Sequence, residues 1–352
     1  MQEKIKIIQD QLANAIEQRE PLKIVGGDSK AFLGRNSTGT SLEMSSYSGV
    51  ISYEPTELYI TARSGTTLSE INNTLTEHGQ MLAFDPPQIN ASTTIGGVVA
   101  TGLSGPRRPY TGSVRDYVLG IHCINGLGKE LTFGGQVMKN VAGYDLSRLM
   151  TGAYGTLGVI LDISLKVMPI PEFEMTCHQL LSAEKALAKM LELSTGNIPI
   201  SASCYDGEAL FIRLSGDEKV VKTSSEAIGM DVLEQAQLFW DELRDYKSSI
   251  FNSDNNVWRL SVPLTSVVAV ADDSCLIDWG GGLYWLNSDR SAEEIFNMAS
   301  VAGGSAMLFK GSDRQQEVFQ PLTDGLLSLH KGLKNAFDPH GILNPGKMYA
   351  TV

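Results

Sequence analysis

The 352-residue sequence is poor in cysteine, and its few cysteines are not paired along the chain. They are Cys123, Cys177, Cys204 and Cys275, and no two of them form a CxxC motif. This spacing excludes a disulfide framework and the familiar ligand patterns of iron–sulfur clusters. We therefore expect reduced core cysteines in a cytoplasmic protein, which would need a separate protein to carry such a cluster.

Basic charge and long apolar runs are lacking as well. The formal net charge is −12 and the isoelectric point is about 4.9, which argues against a nucleic-acid-binding surface. No segment has the apolar length that spans a bilayer. Near the amino terminus, Ile5, Ile8, Leu12 and Ile16 form the stripe of an amphipathic helix, not the continuous core of a signal peptide. We expect contact with the inner face of the cytoplasmic membrane only through partner subunits.

The short motifs of several enzyme classes are also missing. The glycines of residues 152–158 lack the GxGxxG spacing of a Rossmann fold, and a predicted strand follows where a helix is required. Gly128 and Lys129 precede Glu130, which excludes a phosphate loop of the GK[ST] type. The five histidines form no HxH or HxxxH pair, so the sequence predicts no metal site.

The sequence does contain two clusters of glycine between Pro86 and Gly158. Because glycine has no side chain, its backbone amides can approach a diphosphate or a flat ring closely. In the first cluster, Gly96 and Gly97 precede small residues that could begin a helix directed at an anion. The clusters therefore indicate a chain wrapped around a long phosphate-bearing ligand. The alternative is that they are ordinary turns of a glycine-rich α/β protein.

Local patterns predict a mixture of helices and short strands. Thr67 followed by Glu70 predicts the start of a helix, and residues 125–128 (NGLG) predict a hairpin between strands Val114–Ile124 and Lys129–Phe133. Beyond Pro171, hairpins alternate with helices without regular βαβ units. That order predicts an antiparallel sheet covered by helices on one face.

Four segments, in this order along the chain, resemble the FAD-linked oxidases of the vanillyl-alcohol-oxidase (PCMH) type. They read KIVGGDSKAFLGR, FDPPQINASTTIGGVVATGLSGPRRPYTGSVRDYVLG, KNVAGYDLSRLMTGAYGTLGVI and AFDPHGILNPGK. The first segment and the short cap are most similar to the FAD-binding subunits of bacterial glycolate oxidases. The resemblance implies an α+β protein: a two-lobed α/β FAD-binding domain (1–170), a small antiparallel-sheet α+β cap (171–335) and a tail returning to the FAD domain (336–352).

The resemblance also implies which residues contact FAD, with backbone N–H groups of the two loops holding the diphosphate. The implied residues are Gly26, Gly27, Asp28, Ser29 and Lys30 in the first loop, Thr93, Thr94, Ile95, Gly96 and Gly97 in the second, Pro87, Ser104, Gly105 and Arg107 along the flavin, and Val141, Ala142, Gly143, Tyr144, Asp145, Gly158, Val159 and Ile160 beside the adenine and isoalloxazine rings. For Tyr144 and Asp145, packing and helix capping are the alternative.

The cap departs from the pattern of relatives that oxidise 2-hydroxy acids. Those relatives usually carry paired histidines and acidic residues there, whereas His178 stands alone. Arg213, Arg259 and Lys310 lie on predicted cap strands, and a cation facing the flavin would bind a substrate carboxylate. We take Arg259 and Lys310 as the catalytic candidates. The alternative for each is a side chain directed at solvent or at a subunit interface.

The resemblance implies an FAD-binding subunit of a complex that oxidises glycolate, or a similar small 2-hydroxy acid, to glyoxylate. Its expected partners are a second flavin subunit and an iron–sulfur subunit that receives the electrons. Two alternatives stay open. One is a self-sufficient FAD-dependent alcohol or 2-hydroxy-acid oxidoreductase, and the other is a non-catalytic subunit in which FAD only stabilises assembly.

The mode of flavin attachment is directly testable. Several relatives link FAD covalently through a histidine in the first glycine loop, but residues 28–30 read Asp-Ser-Lys. We therefore expect that denaturing the protein in acid releases all yellow colour into the supernatant. Flavin absorbance that stays with the precipitated chain would contradict a non-covalent cofactor.

Overall fold

A computed structural model describes residues 2–136, 144–253, 255–270 and 274–352. Val141, Ala142 and Gly143, predicted to lie beside FAD, fall outside these residues, as do the side chains of Tyr144 and Asp145.

The first half of the chain forms small sheets with helices between them. Its elements are α1 (Gln2–Gln18), β1 (Leu22–Val25), β2 (Thr40–Glu43), β3 (Val50–Glu54), β4 (Tyr59–Arg63), α2 (Leu68–Thr76), β5 (Gln80–Met81), α3 (Ile95–Thr101), α4 (Arg108–Thr111), α5 (Val114–Tyr117), β6 (Val118–Ile124), β7 (Glu130–Gly134), α6 (Tyr144–Leu149), β8 (Val159–Lys166) and β9 (Met168–Pro169). Strands β1 and β2 pair in parallel, whereas β3-β4-β8-β6-β7 form an antiparallel sheet. These two sheets are the two lobes of the FAD domain.

The second half is dominated by one larger sheet. Its elements are β10 (Phe173–Leu180), α7 (Ala183–Ser194), β11 (Ile200–Tyr205), β12 (Ala209–Gly216), α8 (Glu218–Ile228), β13 (Asp231–Val232), α9 (Gln237–Arg244), β14 (Val257–Ser261), β15 (Ser274–Asp278), β16 (Leu283–Asn287), α10 (Ala292–Val301), β17 (Ser305–Lys310) and α11 (Asp324–Phe337). The strand order is β13-β10-β12-β11-β15-β16-β14-β17, with antiparallel neighbours throughout the described residues. None of the helices in the described ranges is long and apolar enough to cross a membrane.

Local sequence signals account for several element boundaries. The Glu70 N–H donates to Thr67 Oγ1 at 3.2 Å, which confirms the predicted start of α2, and the predicted hairpin joins β6 to β7. The predicted strand over 114–124 was wrong for its first four residues, since the strand begins at Val118. Residues 114–117 are helical because the Ser113 N–H and hydroxyl both donate to the Asp116 carboxylate, which caps that turn.

The two faces of the large sheet have different neighbours. One face packs against α7, α8 and α10 in an apolar core that includes Met190, Val221 and Ile295. The opposite face, which we call the inner face, packs against residues of the FAD domain such as Leu103 and Tyr154. Helices on one face of an antiparallel sheet confirm the predicted α+β cap, and the inner face is where cap residues meet the first domain.

The end of the chain pairs with its beginning. Leu22 N–H donates to the Ile342 carbonyl at 2.7 Å, and Asn344 N–H donates to the Leu22 carbonyl at 3.0 Å. The Asn344 side chain accepts from Ile24 N–H at 2.8 Å and donates to the Tyr154 carbonyl at 2.6 Å. The carboxyl-terminal segment therefore continues the small parallel sheet and holds the loop that contains Tyr154.

A buried ion pair ties α11 to this segment. Lys334 Nζ lies 2.8 Å from Asp338 Oδ2 and donates to the carbonyls of Thr156 and Leu343, both at 2.8 Å. The Asp338 carboxylate also accepts from the N–H groups of Ile342 and Leu343. Burial lowers the pKa of Lys334, while Asp338 opposes that shift. Hydrogen bonds surround both charges, so each partner is satisfied only while the other is present.

Removing one partner should therefore be costly. We expect Asp338→Ala to lower the free energy of unfolding by about 3–5 kcal/mol, since it leaves a buried ammonium group without its counter-charge. Breaking the exposed Lys222–Glu218 pair by Glu218→Ala should cost less than about 1 kcal/mol. Urea unfolding of the two variants gives both values, and equal costs would contradict this account.

Candidate functional site

A cleft with about 880 Å³ of empty space lies where β1, α3, β8 and the carboxyl-terminal segment meet. It is lined by Lys23, Ile24, Val25, Gly26, Gly27, Asp28, Ser29, Lys30, Ala31, Ser37, Met44, Ser64, Thr94, Gly96, Gly97, Ala100, Thr101, Tyr154, Gly155, Gly158, Ile160, Asn344 and Lys347. The structure thus brings the first loop, part of the second loop and two glycines of the late cluster, Gly155 and Gly158, into one cleft.

The first loop presents bare backbone to this cleft. Within the described residues, the N–H groups of residues 27–30 donate to no protein acceptor. Asp28 has φ +51°, a left-handed conformation that turns the loop sharply. A Cβ on Gly27 would lie 1.5 Å from the Ser92 carbonyl oxygen, so a side chain cannot be accommodated there. Free amides in a loop that needs glycine suit the oxygens of a diphosphate.

The second loop contributes in a different way from the one predicted. The N–H groups of Ile95, Gly96 and Gly97 donate to Thr66 O, Ser64 O and Thr94 Oγ1 respectively, so they are already engaged within the protein. Thr93 and Ile95 are buried and do not line the cleft. A Cβ on Gly96 would lie 2.6 Å from Ser64 Cβ. The glycines here allow α3 to pack closely under the cleft.

Cations gather in the cleft although the protein as a whole is acidic. Lys30 Nζ is buried and has no hydrogen-bond partner, and burial lowers the pKa of Lys30 to about 8. Burial, followed by the charges of Arg314 and Lys23, lowers the pKa of Lys347 to about 8 as well. Asp28 is the acidic residue among those lining the cleft. An orphaned ammonium group in a cationic cleft fits the diphosphate of FAD.

The wall formed by β8 is apolar. Gly158 and Ile160 line it, whereas Val159 points into a separate apolar core with α1. No histidine or cysteine is among the lining residues in the described part of the chain. The arrangement therefore offers no imidazole or thiol for a covalent flavin link.

Four other predicted cofactor residues lie at the junction between the FAD domain and the cap. Pro87 is buried there, and Ser104 Oγ accepts from the Val114 N–H at 3.0 Å. The Gly105 carbonyl accepts from Trp279 Nε1 at 3.1 Å, and Arg107 pairs with Glu174. The contacts of Gly105 and Arg107 join the two domains, whereas the hydrogen bond of Ser104 lies within the first domain. None of the four residues lines the cleft.

Two of the candidate cap cations are engaged elsewhere. Arg213 is buried on the inner face, where it lies 3.4 Å from Asp85 and donates to Ser201 Oγ at 3.1 Å. Lys310 is exposed at the end of β17, and its Nζ donates to the Phe251 carbonyl at 2.8 Å. The structure therefore provides no support for Lys310 as a catalytic residue, because the side chain is exposed and its ammonium group is bound to a backbone carbonyl.

Arg259 does lie on the inner face. Its Cζ is 4.9 Å from the Trp279 ring centroid and 5.8 Å from that of Trp285, and burial lowers its pKa. Its charge acts on the hydroxyl of Tyr154, which lines the cleft; burial dominates and raises the pKa of Tyr154 to about 12. Within the described residues, the Arg259 guanidinium has no hydrogen bond or ion pair.

The guanidinium of Arg108, a residue of the FAD domain, contacts the same indole ring of Trp279. Arg108 Cζ lies 4.2 Å from the Trp279 ring centroid, and its side chain also lacks an acidic partner within hydrogen-bond distance among the described residues. The two Cζ atoms are therefore no more than about 9 Å apart, the sum of their distances to the ring. Trp279 itself has φ +55°, a strained conformation for a bulky residue. Arg108 was not among the site residues predicted from the sequence, where it stands within the GPRRPY segment.

Asp278 completes this group on the inner face. Its Oδ1 accepts from the Trp279 N–H at 2.7 Å and so fixes the start of the strained turn. The side chain is buried, and burial raises the pKa of Asp278 to about 7. The arrangement thus places two guanidinium groups, neither in an ion pair among the described residues, near a buried carboxyl group whose pKa is raised.

Comparisons with known proteins agree with this geometry. Residues 3–134 match the model of the FAD binding domain, and residues 291–348 match that of the C-terminal domain of FAD linked oxidases. A solved alkyldihydroxyacetonephosphate synthase shares the fold, with a TM-score of 0.67 at 14% identity over 97% of this chain and 75% of that one.

Sequence relatives cover most of the chain. Glycolate oxidase subunit GlcE of Escherichia coli (strain K12) is 46% identical over 97% of this chain and 96% of its own length. A D-lactate dehydrogenase of Archaeoglobus fulgidus is 29% identical over 81% of this chain and 76% of its own, and Bacillus subtilis glycolate oxidase subunit GlcD is 23% identical over 86% and 77%. This chain therefore belongs to the FAD-linked oxidases, a family of oxidoreductases, and binds FAD as a non-covalent cofactor.

Proposed function

We propose that this chain is the FAD-binding subunit of a complex that oxidises glycolate, or a similar small 2-hydroxy acid, to glyoxylate or the matching 2-oxo acid. The names of its relatives support this substrate class, since they include two glycolate oxidase subunits and a D-lactate dehydrogenase. The observation that carries the proposal is the Arg259 guanidinium on the inner face of the cap, held against Trp279 and Trp285 without an ion pair among the described residues.

Arg259 binds the substrate carboxylate. A guanidinium offers a planar fork of N–H donors that matches both oxygens of a carboxylate, and its attraction is strengthened where water is largely excluded. Trp279 and Trp285 hold the fork in place by cation–π contact. Arg108 adds a second positive charge and favours small acids over neutral alcohols. Bound FAD would supply the acceptor for the hydride of the substrate C–H bond.

Asp278 takes the proton of the substrate hydroxyl in this proposal. A general base works best when its pKa lies near the operating pH, and the pKa of Asp278 is raised to about 7 by burial. Its carboxyl group keeps one oxygen on the Trp279 N–H, which fixes its orientation. The paired histidines expected of 2-hydroxy-acid oxidases are thus replaced by a single buried acid.

The electrons leave through partner subunits. Cys123, Cys177 and Cys204 are buried in three different apolar cores, and Cys275 is only partly exposed, so these thiols do not meet at one site. This separation supports an iron–sulfur cluster on another chain. That relatives are named as subunits supports a complex with a second flavin chain.

The first test is anaerobic reduction of the bound flavin by glycolate, followed in the visible spectrum. We expect Arg259→Met to retain FAD but to slow bleaching about 100-fold, because a charge-assisted carboxylate contact is lost. Arg115→Met, which removes an exposed arginine of α5, is the matched control and should leave the rate unchanged.

The other outcomes separate the alternatives. If glycolate bleaches the flavin of the isolated chain and the chain then turns over with oxygen or an artificial acceptor, a self-sufficient oxidoreductase is favoured. A flavin that dithionite bleaches but glycolate does not, even in the complex, would leave a structural or relaying role for FAD. Equal rates for wild type and Arg259→Met would remove Arg259 from the site.

The role of Asp278 predicts a pH profile. In wild type, the rate of flavin reduction should fall as the pH drops below about 7, because protonation removes the base. Asp278→Asn keeps an oxygen acceptor for the Trp279 N–H, so we expect the fold to persist. Flavin reduction in this variant should be slower by about 100-fold or more, and its rate should no longer fall at acidic pH. An Asn variant with an unchanged profile would show that Asp278 only caps the turn.

A further inference from the structure

Two lysines from opposite ends of the chain face the same cleft. Lys30 follows the first glycine loop, and Lys347 lies in the segment that pairs with β1. The Lys30 ammonium group is buried without any hydrogen-bond partner. The Lys347 backbone carbonyl accepts from Arg35 N–H at 2.8 Å, which fixes the start of its side chain at the cleft. Neither lysine forms an ion pair with a carboxylate among the described residues.

The surroundings of these lysines do not neutralise them. Lys347 faces the positive charges of Arg314 and Lys23, and the negative charge that acts on it is that of Asp28. For Lys30, burial is the influence that lowers the pKa. Arg314 is itself held by the carbonyls of Gly34, Leu308 and Phe309 and not by an acid. The cleft therefore has an excess of positive charge that the folded chain leaves uncompensated.

We propose that Lys30 and Lys347 clamp the diphosphate of FAD from two sides, so that the last residues of the chain form part of the cofactor site. The diphosphate is the doubly charged part of FAD, and two ammonium groups supply the matching charge. The free amides of residues 27–30 then complete the cradle. This inference rests on FAD binding and holds whichever acid is oxidised.

Such a clamp has a cost in the FAD-free protein. A buried ammonium group without a partner destabilises the fold, and here it loses its proton more easily, since burial lowers both pKa values to about 8. The FAD-free chain should gain stability as the pH rises from about 8 towards the ordinary lysine pKa, because the unfolded chain binds more protons there. FAD binding raises both pKa values again, so affinity for FAD should fall over the same pH range.

The test compares FAD with riboflavin, which has the same ring system but no diphosphate. We titrate each into the full-length FAD-depleted chain and follow flavin fluorescence at pH 7 and pH 9.5. Lys30→Met and Lys347→Met should each weaken FAD binding by about 10- to 100-fold at pH 7 and leave riboflavin binding unchanged. Wild-type affinity for FAD should fall at pH 9.5 more than that for riboflavin. Lys222→Met, on the exposed face of α8, is the control.

Thermal unfolding distinguishes a variant that has lost a contact with FAD from one that folds poorly. Without FAD, both methionine variants should melt at the same temperature as wild type or higher, because a desolvated charge is removed. With FAD, they should show a smaller upward shift than wild type. If the depleted chain does not stay folded, the rate of FAD release from the holoprotein gives the same comparison. Equal losses for FAD and riboflavin, or a lower melting temperature without FAD, would overturn the clamp.

Discussion

The pairing of the carboxyl-terminal segment with β1 is the contact on which the cofactor cleft depends. Hydrogen bonds from Leu22, Ile24 and Asn344 join the two ends of the chain, and Asn344 also holds the Tyr154 carbonyl. The buried Lys334–Asp338 pair anchors the segment from the other side. Without this pairing the cleft would lose one wall, and Lys347 would be in solvent rather than opposite Lys30.

Uncompensated positive charge is the common feature of both parts of the site. Lys30 and Lys347 are placed in the cleft, and Arg108 and Arg259 on the two sides of the domain junction, with no carboxylate bound to them among the described residues. Burying a charge without a partner costs stability, so a protein retains such groups where a ligand supplies the opposite charge. The two sets match the two anionic parts of the proposed reaction, the diphosphate of FAD and the substrate carboxylate.

In the proposed function, an arginine and a carboxyl group of the cap take the place of the paired histidines that the family resemblance led us to expect. The antiparallel sheet of the cap places Arg213, Arg259 and Asp278 on the inner face because side chains alternate along each strand. Arg213 is paired with Asp85 at the domain junction, whereas Arg259 and Asp278 surround the strained turn at Trp279. The chemistry of the cap therefore depends on a turn whose conformation is unfavourable by itself.

The sequence by itself determined the family, the cofactor and most of the fold. Glycine loops and helix-capping residues depend on neighbours along the chain, so they can be recognised without the tertiary structure. The first loop and the start of α2 follow from local rules of this kind. It did not separate Arg259 from Lys310, since both lie on cap strands and only their burial and contacts in the fold distinguish them. It also could not reveal that Ile95 and Gly96 use their amides within the protein, or that Lys347 meets Lys30. Those features depend on contacts between residues far apart in the chain, which only the tertiary structure decided.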